Sequence, residues 1–540
     1  MRDATLEKLW RTLLESRQVL FGLFAGVAAA ALLMIMARPV LDHVPLYDEL
    51  LHVLAARGLN ETGEPQIADG YYYRGELYTR LAASVMEHRG DTVVSARLPS
   101  LVAGAALVLL LAVWISRLAG FFAGAAAALF LCAVPTTLEM AVFARFYSLH
   151  ALIVLAMAVV LFAALSRERK RWQQIGLIVA ALALALPAYH LQDTTLIAVG
   201  ALAAGVLGVL IHDHWPAVRD FIVRRPVLTA VGLIVILGGG AAIVVKVGLF
   251  ALLRQAPGWV SWAADRPYEY LVRFADNLPL LWPLFPLAIV LALRGERRLT
   301  IFCAMFMLSA LFVHSIAAAK SMRYIYYVFP AFCAILGCGI SGALQLLKVN
   351  ASPTREEGAG ASIRPMMAFG WLALVVVAFA TSHEGQRVAK AALGHSKPAE
   401  VLSYAVEADW QPAVQTLKPL VASADRVVTS NAMKALYYFG RYEYELNVSI
   451  VDETDTRAEF GTDERTGMQA IGTPASITKV IDLPGSTVVI LEQETIGRPT
   501  GVPSEAVAAI AARCTTVPLA NDMGLVAWTC HEPHVTSTTG

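Results

Sequence analysis

The chain has 540 residues, of which 57% are hydrophobic and only 16% are charged, and its formal net charge is +1. A soluble protein carries roughly a quarter charged residues, so this composition excludes an ordinary soluble enzyme. The near-zero charge, with no basic face and no interleaved aromatic residues, gives no support for nucleic-acid binding. Apolar runs close to twenty residues long can cross about 30 Å of hydrocarbon as helices. They predict a polytopic α-helical membrane protein.

Eleven apolar runs predict about eleven transmembrane helices. They lie at residues 19–38, 98–116, 119–135, 147–165, 174–189, 194–211, 227–250, 278–293, 299–317, 324–347 and 366–381. The first run is too long for the core of a signal peptide, and no cleavage site follows it. It is therefore interpreted as a retained helix.

The short connections between these runs alternate in charge. One set is rich in lysine and arginine, as in "RERKR" at 167–171 and "RGERR" at 294–298. Positive charge marks the cytoplasmic side of a membrane. An odd number of spans then predicts a cytoplasmic N-terminus in the inner (cytoplasmic) membrane, with everything after about residue 382 in the periplasm or otherwise outside.

Composition also predicts two domains. Residues 1–381 are predicted to form a transmembrane domain with a long outer loop at 39–97, and residues 382–540 to form an extracytoplasmic α/β domain. In the second, "DRVVTS" (425–430) and "STVVILEQE" (486–494) predict buried strands. The segments 431–440 and 504–514 predict helices, opened by the N-capping residues Asn431 and Ser504. Alternation of strands and helices is typical of an α/β domain.

The six cysteines divide between the two predicted domains. Those in apolar runs are predicted to be buried free thiols; they are Cys132, Cys303, Cys333 and Cys338. Cys514 and Cys530 lie in the outer domain. An oxidising compartment makes that pair a candidate disulfide.

The stretch "LYDELLH" (46–52) places Asp48 and Glu49 side by side where the chain first leaves the membrane. Adjacent side chains on a helix point about 100° apart, so the two carboxylates are expected to have different roles. Asp48 and His52, at positions i and i+4, share a face. A carboxylate there can act as a general base. The alternative is that the two acids only begin a helix, where they interact favourably with its dipole.

Basic residues collect at the predicted outer ends of spans, where positive charge is not expected. Arg145, Lys320 and Arg323 stand at such ends, and Arg74 lies in the outer loop. Ionisable groups near a membrane interior are costly unless they serve a purpose. Arginine offers bidentate donors to a phosphate or pyrophosphate headgroup. The alternative for each residue is that its long side chain reaches for the lipid headgroups.

Other polar and aromatic positions leave alternatives open. Glu139 is either a second carboxylate of the site or an ion-pair partner of Arg145. His190 either satisfies a helix end or contacts a ligand, and Tyr71 to Tyr73 either stack on a sugar ring or anchor the loop at the interface. No clustered Cys/His spacing and no Asp-X-Asp motif predicts a metal site. No cofactor is predicted, and whether a divalent cation assists is left open.

Four segments resemble GT-C-type glycosyltransferases that use sugars carried on a polyprenyl phosphate, such as the protein O-mannosyltransferases and the lipid A aminoarabinose transferases. "PLYDELLHVLAARGLNETGEP" (45–65) resembles their first outer loop. The stretch 71–104 resembles their aromatic and basic segment, although Gly75-Glu76 replace the usual prolines and Arg74 stands where lysine is common. "EMAVFARFYSLHALIVL" (139–155) and "KSMRYIYYVFPAF" (320–332) resemble later elements. Together these matches extend over about the first 350 residues.

The resemblance implies a GT-C fold and an enzyme that transfers a sugar, with inversion, from a polyprenyl-phosphate donor to an envelope lipid, glycan or protein. It implies that Asp48 is the general base and that Glu49 orients it or binds sugar hydroxyls. The implied ligands of the donor phosphate are Arg145, Lys320 and Arg323, with Arg74 assisting. The candidate substrate contacts are Tyr71, Tyr73, Glu139, Tyr147, His190 and Tyr324.

Two other classes of protein fit parts of the pattern. One is an envelope glycan ligase or flippase-like protein that binds prenyl-linked glycans. The other is a transporter, which is expected to carry charges near the bilayer midplane and to have related halves. Here the charges gather at the outer edge and the halves look unrelated, which favours the transferase.

Overall fold

A computed structural model of the chain describes residues 2–228, 230–231, 266–317, 320–349, 376–395, 407–451, 459–519 and 524–530. The chain forms two compact units. The first contains the described residues of Met1–Leu41, Pro99–Ala256 and Trp262–Ser403, and the second those of Asp42–Leu98 and Tyr404–Gly540. By compactness, the predicted outer loop thus groups with the C-terminal region. The domain boundary at residue 382 stays a prediction.

Helices make up most of the described chain. In chain order they are α1 (Arg2–Ala37), α2 (Tyr47–Thr62), α3 (Glu76–Arg89), α4 (Val93–Ala119), α5 (Phe121–Ala133), α6 (Pro135–Ala141), α7 (Tyr147–Ala164), α8 (Arg171–Leu191), α9 (Thr195–Asp213), α10 (Trp215–Arg224), α11 (Glu269–Asn277), α12 (Leu281–Gly295), α13 (Arg297–Ile316), α14 (Phe329–Val349), α15 (His383–Ala392), α16 (Val414–Ser423), α17 (Ala432–Phe439), α18 (Val448–Val451), α19 (Pro474–Ile481) and α20 (Ser504–Ala511). A 3₁₀ helix, Met322–Val328, leads into α14.

Seven segments of the described chain are long and apolar enough to cross a membrane: Arg17–Val40, α4, α7, α8, α9, α13 and Met322–Gln345. Two bent pairs, α5 with α6 at 72° and α11 with α12 at 100°, bring the number to nine if each pair is one span. The predicted polytopic α-helical class is confirmed. The predicted spans at 227–250 and 366–381 fall largely outside the described residues, so the count of eleven stays a prediction.

The bend between α5 and α6 prepares the turn that carries Arg145. Val134 is extended, with φ −67° and ψ 119°, and Pro135 occupies the first position of α6. A residue before proline avoids the helical region, and proline fits the first helical position because its missing N–H has no partner there anyway. The chain therefore turns at Val134 and begins a short new helix. That helix ends at Ala141, and the irregular residues 142–146 follow.

The bend between α11 and α12 is stabilised by a carboxylate from a distant helix. Glu384 of α15 is fully buried, and its Oε1 accepts hydrogen bonds from the N–H groups of Leu280 at 2.8 Å and Leu281 at 3.2 Å. These N–H groups stand at the start of α12 and have no acceptor within that helix. Glu384 thus supplies a cap that the local sequence lacks.

Glycines let α14 pack closely between two neighbours. A Cβ on Gly337 would lie 2.3 Å from the carbonyl oxygen of Ala123 in α5, and one on Gly342 would lie 2.1 Å from that of Leu291 in α12. Small residues at such crossings allow backbones to approach, which is how helices gain van der Waals contact in a membrane.

The second unit contains all nine described strands. A short hairpin pairs β1 (Gln66–Ile67) with β2 (Gly70–Tyr71). The remaining strands are β3 (Arg426–Thr429), β4 (Tyr444–Leu446), β5 (Phe460–Thr462), β6 (Gln469–Ile471), β7 (Thr487–Glu492), β8 (Thr515–Val517) and β9 (Leu525–Cys530). They form one sheet in the order β5-β6-β4-β3-β7-β9-β8. Its centre, β6-β4-β3-β7, is parallel, and antiparallel strands flank it on both sides.

The predicted α/β character of the C-terminal region is confirmed. Strands β3 and β7 and helices α17 and α20 lie within the four predicted segments. Asn431 caps α17, since its side chain accepts from the N–H of Lys434 at 3.1 Å. The prediction that Ser504 caps α20 was wrong. Pro503 occupies the N-cap position without a side-chain hydrogen bond, and Ser504 is the first helical residue.

The cysteines of the two units differ in oxidation state. Cys514 and Cys530 are joined by a disulfide that links the chain just after α20 to the end of β9. The other four cysteines are buried free thiols; they are Cys132, Cys303, Cys333 and Cys338.

Replacing the pair with Cys514→Ser and Cys530→Ser is expected to lower the free energy of unfolding of the second unit by about 3 kcal/mol, because the bond restricts the unfolded chain. The measurement is denaturant unfolding of the full chain in detergent. Reductant should reproduce the loss in the wild type and change the double variant no further. Free thiols at both positions in protein isolated without reductant would contradict the pairing.

Candidate functional site

The acidic stretch forms the first turn of α2. The N-cap residue, Leu46, has no side-chain acceptor, and Glu49 reaches back to accept from the Leu46 N–H at 3.1 Å. This is half of a capping box. The helix ends at Gly63, whose φ of +84° suits glycine. Asp48 and Glu49 therefore do begin a helix, as one alternative held.

Glu49 is held in a bidentate ion pair that is shielded from water. Its two oxygens accept from Arg97 Nε at 2.8 Å and Arg97 Nη2 at 2.6 Å, and both side chains are 0% exposed. Arg97 Nη1 also donates to the carbonyl oxygen of His43 at 3.0 Å. The His43 Nε2 lies 3.4 Å from Glu49 Oε2. A planar arginine fork matches a carboxylate in this way better than a lysine does.

The charge state of Glu49 follows from these contacts. Burial by itself raises the pKa of the Glu49 carboxyl, but Arg97 and then His43 outweigh burial and hold the pKa well below its usual range. The group is ionised and fully occupied by its partners. Both predicted roles of Glu49, orienting Asp48 and binding sugar hydroxyls, stay predictions.

Asp48 stands in a different environment from its neighbour, as helix geometry predicts. Its side chain is half-buried, whereas that of Glu49 is inaccessible. His52, one turn later, is fully buried, and its Nδ1 lies 2.9 Å from Thr79 Oγ1 of α3. The His52 ring meets Tyr72 and Tyr78 edge to face, each at 5.2 Å. Contacts from His52 therefore join α2 to α3.

Two arginines of the first unit lie against one tyrosine ring. Arg145, only 3% exposed, places its guanidinium 5.6 Å from the ring centre of Tyr147. Arg323 approaches the same ring at 6.0 Å and the ring of Tyr324 at 5.4 Å. Ser100 donates to the carbonyl oxygen of Arg145 at 2.8 Å and fixes this turn. We call Arg145, Arg323, Tyr147 and Tyr324 the basic cluster.

Lys320 lies three residues before Arg323 in the chain. It is buried, and its Nζ donates to the carbonyl oxygen of Ala317 at 2.7 Å. Glu139 is also buried, in α6 of the same unit. Whether Glu139 acts as a second carboxylate or as a partner of Arg145 stays a prediction.

The remaining predicted residues are more exposed. Tyr71 and Tyr73 stack at 6.0 Å and are each about half exposed, and Arg74 is exposed in the turn before α3. His190 is exposed near the end of α8, with its ring 6.5 Å from that of Tyr189. The structure thus gathers the basic cluster in the first unit and the acidic turn in the second. Tyr71, Tyr73 and Arg74 lie beside the hairpin of the second unit.

Arg97 is the most consequential residue that the sequence analysis missed. It opens the predicted span at 98–116 on the outer side, where positive charge is not expected. The same signal singled out Arg145 and Arg323. Attention to every arginine at an outer span end would have found it.

Histidines in the helices of the first unit were also missed. His314 Nε2 lies 3.0 Å from the hydroxyl of Tyr327, and His150 Nε2 lies 2.9 Å from Thr195 Oγ1. The Tyr270 hydroxyl accepts from the Ser321 N–H at 3.2 Å. Tyr327 and Ser321 stand at the two ends of the 3₁₀ helix that carries Arg323, so these bonds hold the segment in place. Ionisable residues in apolar helices are rare, and that rarity is the signal that could have revealed them.

A metal-binding cluster is absent from the described part of the chain: no group of three or more His, Cys, Asp or Glu side chains there could hold an ion. Whether a divalent cation assists is left to experiment.

Comparisons with known proteins give likeness at the level of structure. No protein-family model matches the chain. No curated protein matches it by sequence. The structure is similar to that of ArnT from Cupriavidus metallidurans in the apo state, with 16% identity, a TM-score of 0.58, and coverage of 93% of this chain and 97% of that one.

Two further structures agree. The likeness to ArnT from the same organism bound to undecaprenyl phosphate has a TM-score of 0.54 at 16% identity and covers 93% of this chain and 96% of that one. An oligosaccharyltransferase from Archaeoglobus fulgidus in complex with Zn and sulfate has a TM-score of 0.50 at 11% identity, covering 91% and 71% of the two chains. At such identities the likeness concerns the fold alone.

Arg97→Met is expected to lower the free energy of unfolding by about 3–5 kcal/mol at pH 7, because it leaves the Glu49 carboxylate buried without its cation. Adding Glu49→Gln should recover part of the loss. Since the pKa of Glu49 is lowered in the folded state, its stabilisation is present above the unfolded pKa of about 4.3 and is lost as the pH falls below it. The Glu49→Gln variant should therefore lose less stability on acidification than the wild type.

The measurement is denaturant unfolding of the full chain in detergent at several pH values. The control is Arg80→Met, which breaks the exposed Arg80–Glu76 pair of the same unit. That loss should stay below about 1 kcal/mol. Equal stability of Arg97→Met and wild type at pH 7 would contradict the structural role of the pair.

Proposed function

Because the chain has the GT-C fold, we propose that it is a glycosyltransferase. It moves a hexose or pentose from a polyprenyl-phosphate carrier to an acceptor of the cell envelope on the outer face of the membrane. The acceptor is a lipid, a glycan or a protein. The similar ArnT structure bound to undecaprenyl phosphate supports this class of donor.

The observation that carries the proposal is the convergence of two guanidinium groups on Tyr147 in a unit made of apolar helices. Arg145 and Arg323 both lie against this ring, at 5.6 and 6.0 Å from its centre. Guanidinium groups stack on aromatic faces and still present a planar fork to phosphate oxygens, so this arrangement suits a phosphate.

In the proposed reaction the acceptor attacks the anomeric carbon of the sugar. The new bond to the acceptor forms as the bond between that carbon and the phosphate oxygen breaks, and the electron pair remains on the phosphate. The acceptor proton passes to the carboxylate of Asp48. Polyprenyl phosphate is the leaving group, and the transferred sugar has an inverted anomeric configuration. The basic cluster and Lys320 stabilise the negative charge that develops on the phosphate.

Glu49 supports this chemistry without touching the reacting atoms. Its pairing with Arg97 fixes the first turn of α2 and keeps Glu49 ionised. Glu49 thus has a structural role, whereas Asp48 exchanges the proton.

Asp48→Asn is expected to lower the release of polyprenyl phosphate by about 10²–10⁴-fold, because the amide cannot accept the acceptor's proton. Purified protein would be mixed with a panel of undecaprenyl-phosphate sugars and candidate acceptors, with and without EDTA, and the released lipid phosphate measured. Glu61→Gln removes an exposed carboxylate at the far end of α2 and should leave the rate unchanged. If no donor is turned over, or if Asp48→Asn works as well as the wild type, the proposed function is wrong.

Arg323→Lys is expected to reduce kcat/KM by about 10–100-fold, because charge-assisted hydrogen bonds contribute about 1.5–3 kcal/mol and lysine cannot reproduce the fork. The matched control is Arg117→Lys in α4, an exposed arginine of the same unit. Wild-type kinetics for Arg323→Lys would remove this residue from the donor site.

A further inference from the structure

We propose that the C-terminal α/β region has a positioning function in transfer: the carboxyl edge of its sheet binds the first turn of α2 and so sets the direction of Asp48. This inference rests on the proposed function, in which Asp48 is the base. Tyr47, Glu407 and Lys434 are its positioning residues.

The location of this edge in the sheet is the first argument. From β3 the chain passes through α17 to the parallel strand β4 on one side, while β7 lies parallel to β3 on its other side. The strands that follow β3 are thus added on opposite sides of it, which makes the gap between β3 and β7 a topological switch point. In open α/β sheets, ligands bind outside the carboxyl ends of the strands at such a point.

Buried polar groups stand at that point. Lys434, whose side chain is 0% exposed, lies 2.9 Å from Glu492 at the end of β7 and 3.0 Å from Glu407. Glu492 also accepts from the indole N–H of Trp410 at 2.9 Å. Asn431, just beyond β3, donates its side-chain amide to Glu492 at 3.3 Å. The carboxyl edge of the sheet therefore offers several buried polar groups that can bind another segment of the chain.

A part of the outer loop is bound at this site. The N–H of Tyr47 donates to both oxygens of Glu407, at 3.1 and 3.2 Å. The N-cap residue Leu46 offers no side-chain acceptor, so Glu407 supplies one from 360 positions along the chain. An anionic acceptor at a helix N-terminus also interacts favourably with the helix dipole. The row of charges from Glu492 through Lys434 to Glu407 thus ends on the residue before Asp48.

The side chain of Tyr47 is held separately, by the turn that follows β5. Arg465 places its guanidinium 5.4 Å from the centre of the Tyr47 ring, and its Nε donates to Asp463 at 2.8 Å. Tyr442 and Thr466 share a 2.6 Å hydrogen bond beside them. Burial, reinforced by Asp463, raises the pKa of Glu445 next to this group to about 8, so that carboxyl is mostly neutral at pH 7.

The hydroxyl of Tyr47 contributes little to the binding of this residue. It is buried and has no hydrogen-bond partner among the residues that the structure describes. A buried hydroxyl without a partner costs free energy, so Tyr47→Phe is expected to be tolerated. Contact with the ring and with the backbone N–H holds the residue.

The same turn also binds the hairpin of the outer loop. The N–H of Asp69 donates to the carbonyl oxygen of Thr466 at 2.8 Å. A Cβ on Gly70 would lie 2.7 Å from the Arg465 carbonyl oxygen and 2.7 Å from the Gly467 nitrogen, so only glycine fits. Residues 463–467 therefore bind the outer loop at two places. Since the hairpin has only two residues in each strand, the loop depends on these contacts for its order.

The experiment compares Tyr47→Ala and Glu407→Met with the conservative variants Tyr47→Phe and Glu407→Gln in the full chain. Glu459→Gln is the control, because Glu459 forms an exposed pair with Lys479 in the same region. Hydrogen exchange of the peptide over residues 46–52 should become about tenfold faster in Tyr47→Ala and Glu407→Met and should stay unchanged in the control. This readout requires no substrate.

The second readout uses the undecaprenyl-phosphate sugar that the wild type turns over. Tyr47→Ala and Glu407→Met should lower kcat about tenfold, shift the acidic limb of the kcat–pH profile, and leave the KM for the donor within twofold. Tyr47→Phe should restore wild-type values. A purely structural role would change the thermal transition without moving the pH profile.

The outcomes separate this inference from the proposed function. Inactivity of Asp48→Asn, together with unchanged exchange and pH profiles in Tyr47→Ala and Glu407→Met, overturns only the inference. Full activity of Asp48→Asn overturns both. If Tyr47→Ala does not fold, Glu407→Met decides, because Lys434 keeps Glu492 as its partner in that variant.

Discussion

The geometry of the acidic turn depends on one buried ion pair, that of Glu49 with Arg97. Two opposite charges removed from water stabilise a structure only when their geometry satisfies both, and here the arginine fork meets both carboxylate oxygens. The pair joins the first turn of α2 to the start of α4, and the His43 ring contacts the same Glu49 carboxylate. Any displacement of α2 would expose an unpaired charge. The direction of the turn, and with it the position of Asp48, is therefore strongly constrained.

The same constraint explains how polar groups are arranged in the rest of the second unit. Lys434 lies between two carboxylates, and Arg465 is shared by Asp463 and the ring of Tyr47. None of these groups is adjacent to α2 in the sequence. These groups act on α2 because each buried charge needs a partner, and residues of the outer loop provide some of those partners. In the first unit, the aromatic ring of Tyr147 gives two arginines a surface on which to pack.

Much of the architecture follows from the sequence because it depends on local patterns. The lengths of apolar runs predict membrane helices, and most helices of the first unit lie where those runs are. The bend at Val134 follows from Pro135. The strands β3 and β7 follow from short buried runs, and the cap at Asn431 from a helix signal. The wrong prediction at Ser504 also concerned a local pattern: the neighbouring Pro503 occupies the N-cap position instead.

The candidate site was only partly predictable, and Arg97 shows why. The acids of "LYDELLH" and the arginines at the outer span ends were visible as unusual residue types in unusual places. The pairing of Glu49 with Arg97 was not visible, because Arg97 lies 48 positions away and the pair forms only when α2 and α4 approach. Tyr327 was missed for a similar reason, since it looks like an ordinary helix residue until the fold brings it to His314.

The sequence by itself determined the class of this protein: a polytopic membrane protein with an α/β region and with acidic and basic residues on the predicted outer side. These properties depend on composition and on periodicity, which act over a few turns of chain. Only the tertiary structure decided that Glu49 pairs with Arg97 and that Glu407 caps the helix of the acidic turn. Those distinctions depend on which distant charges meet in a water-excluded interior, where pairing is energetically required and sequence distance has no influence.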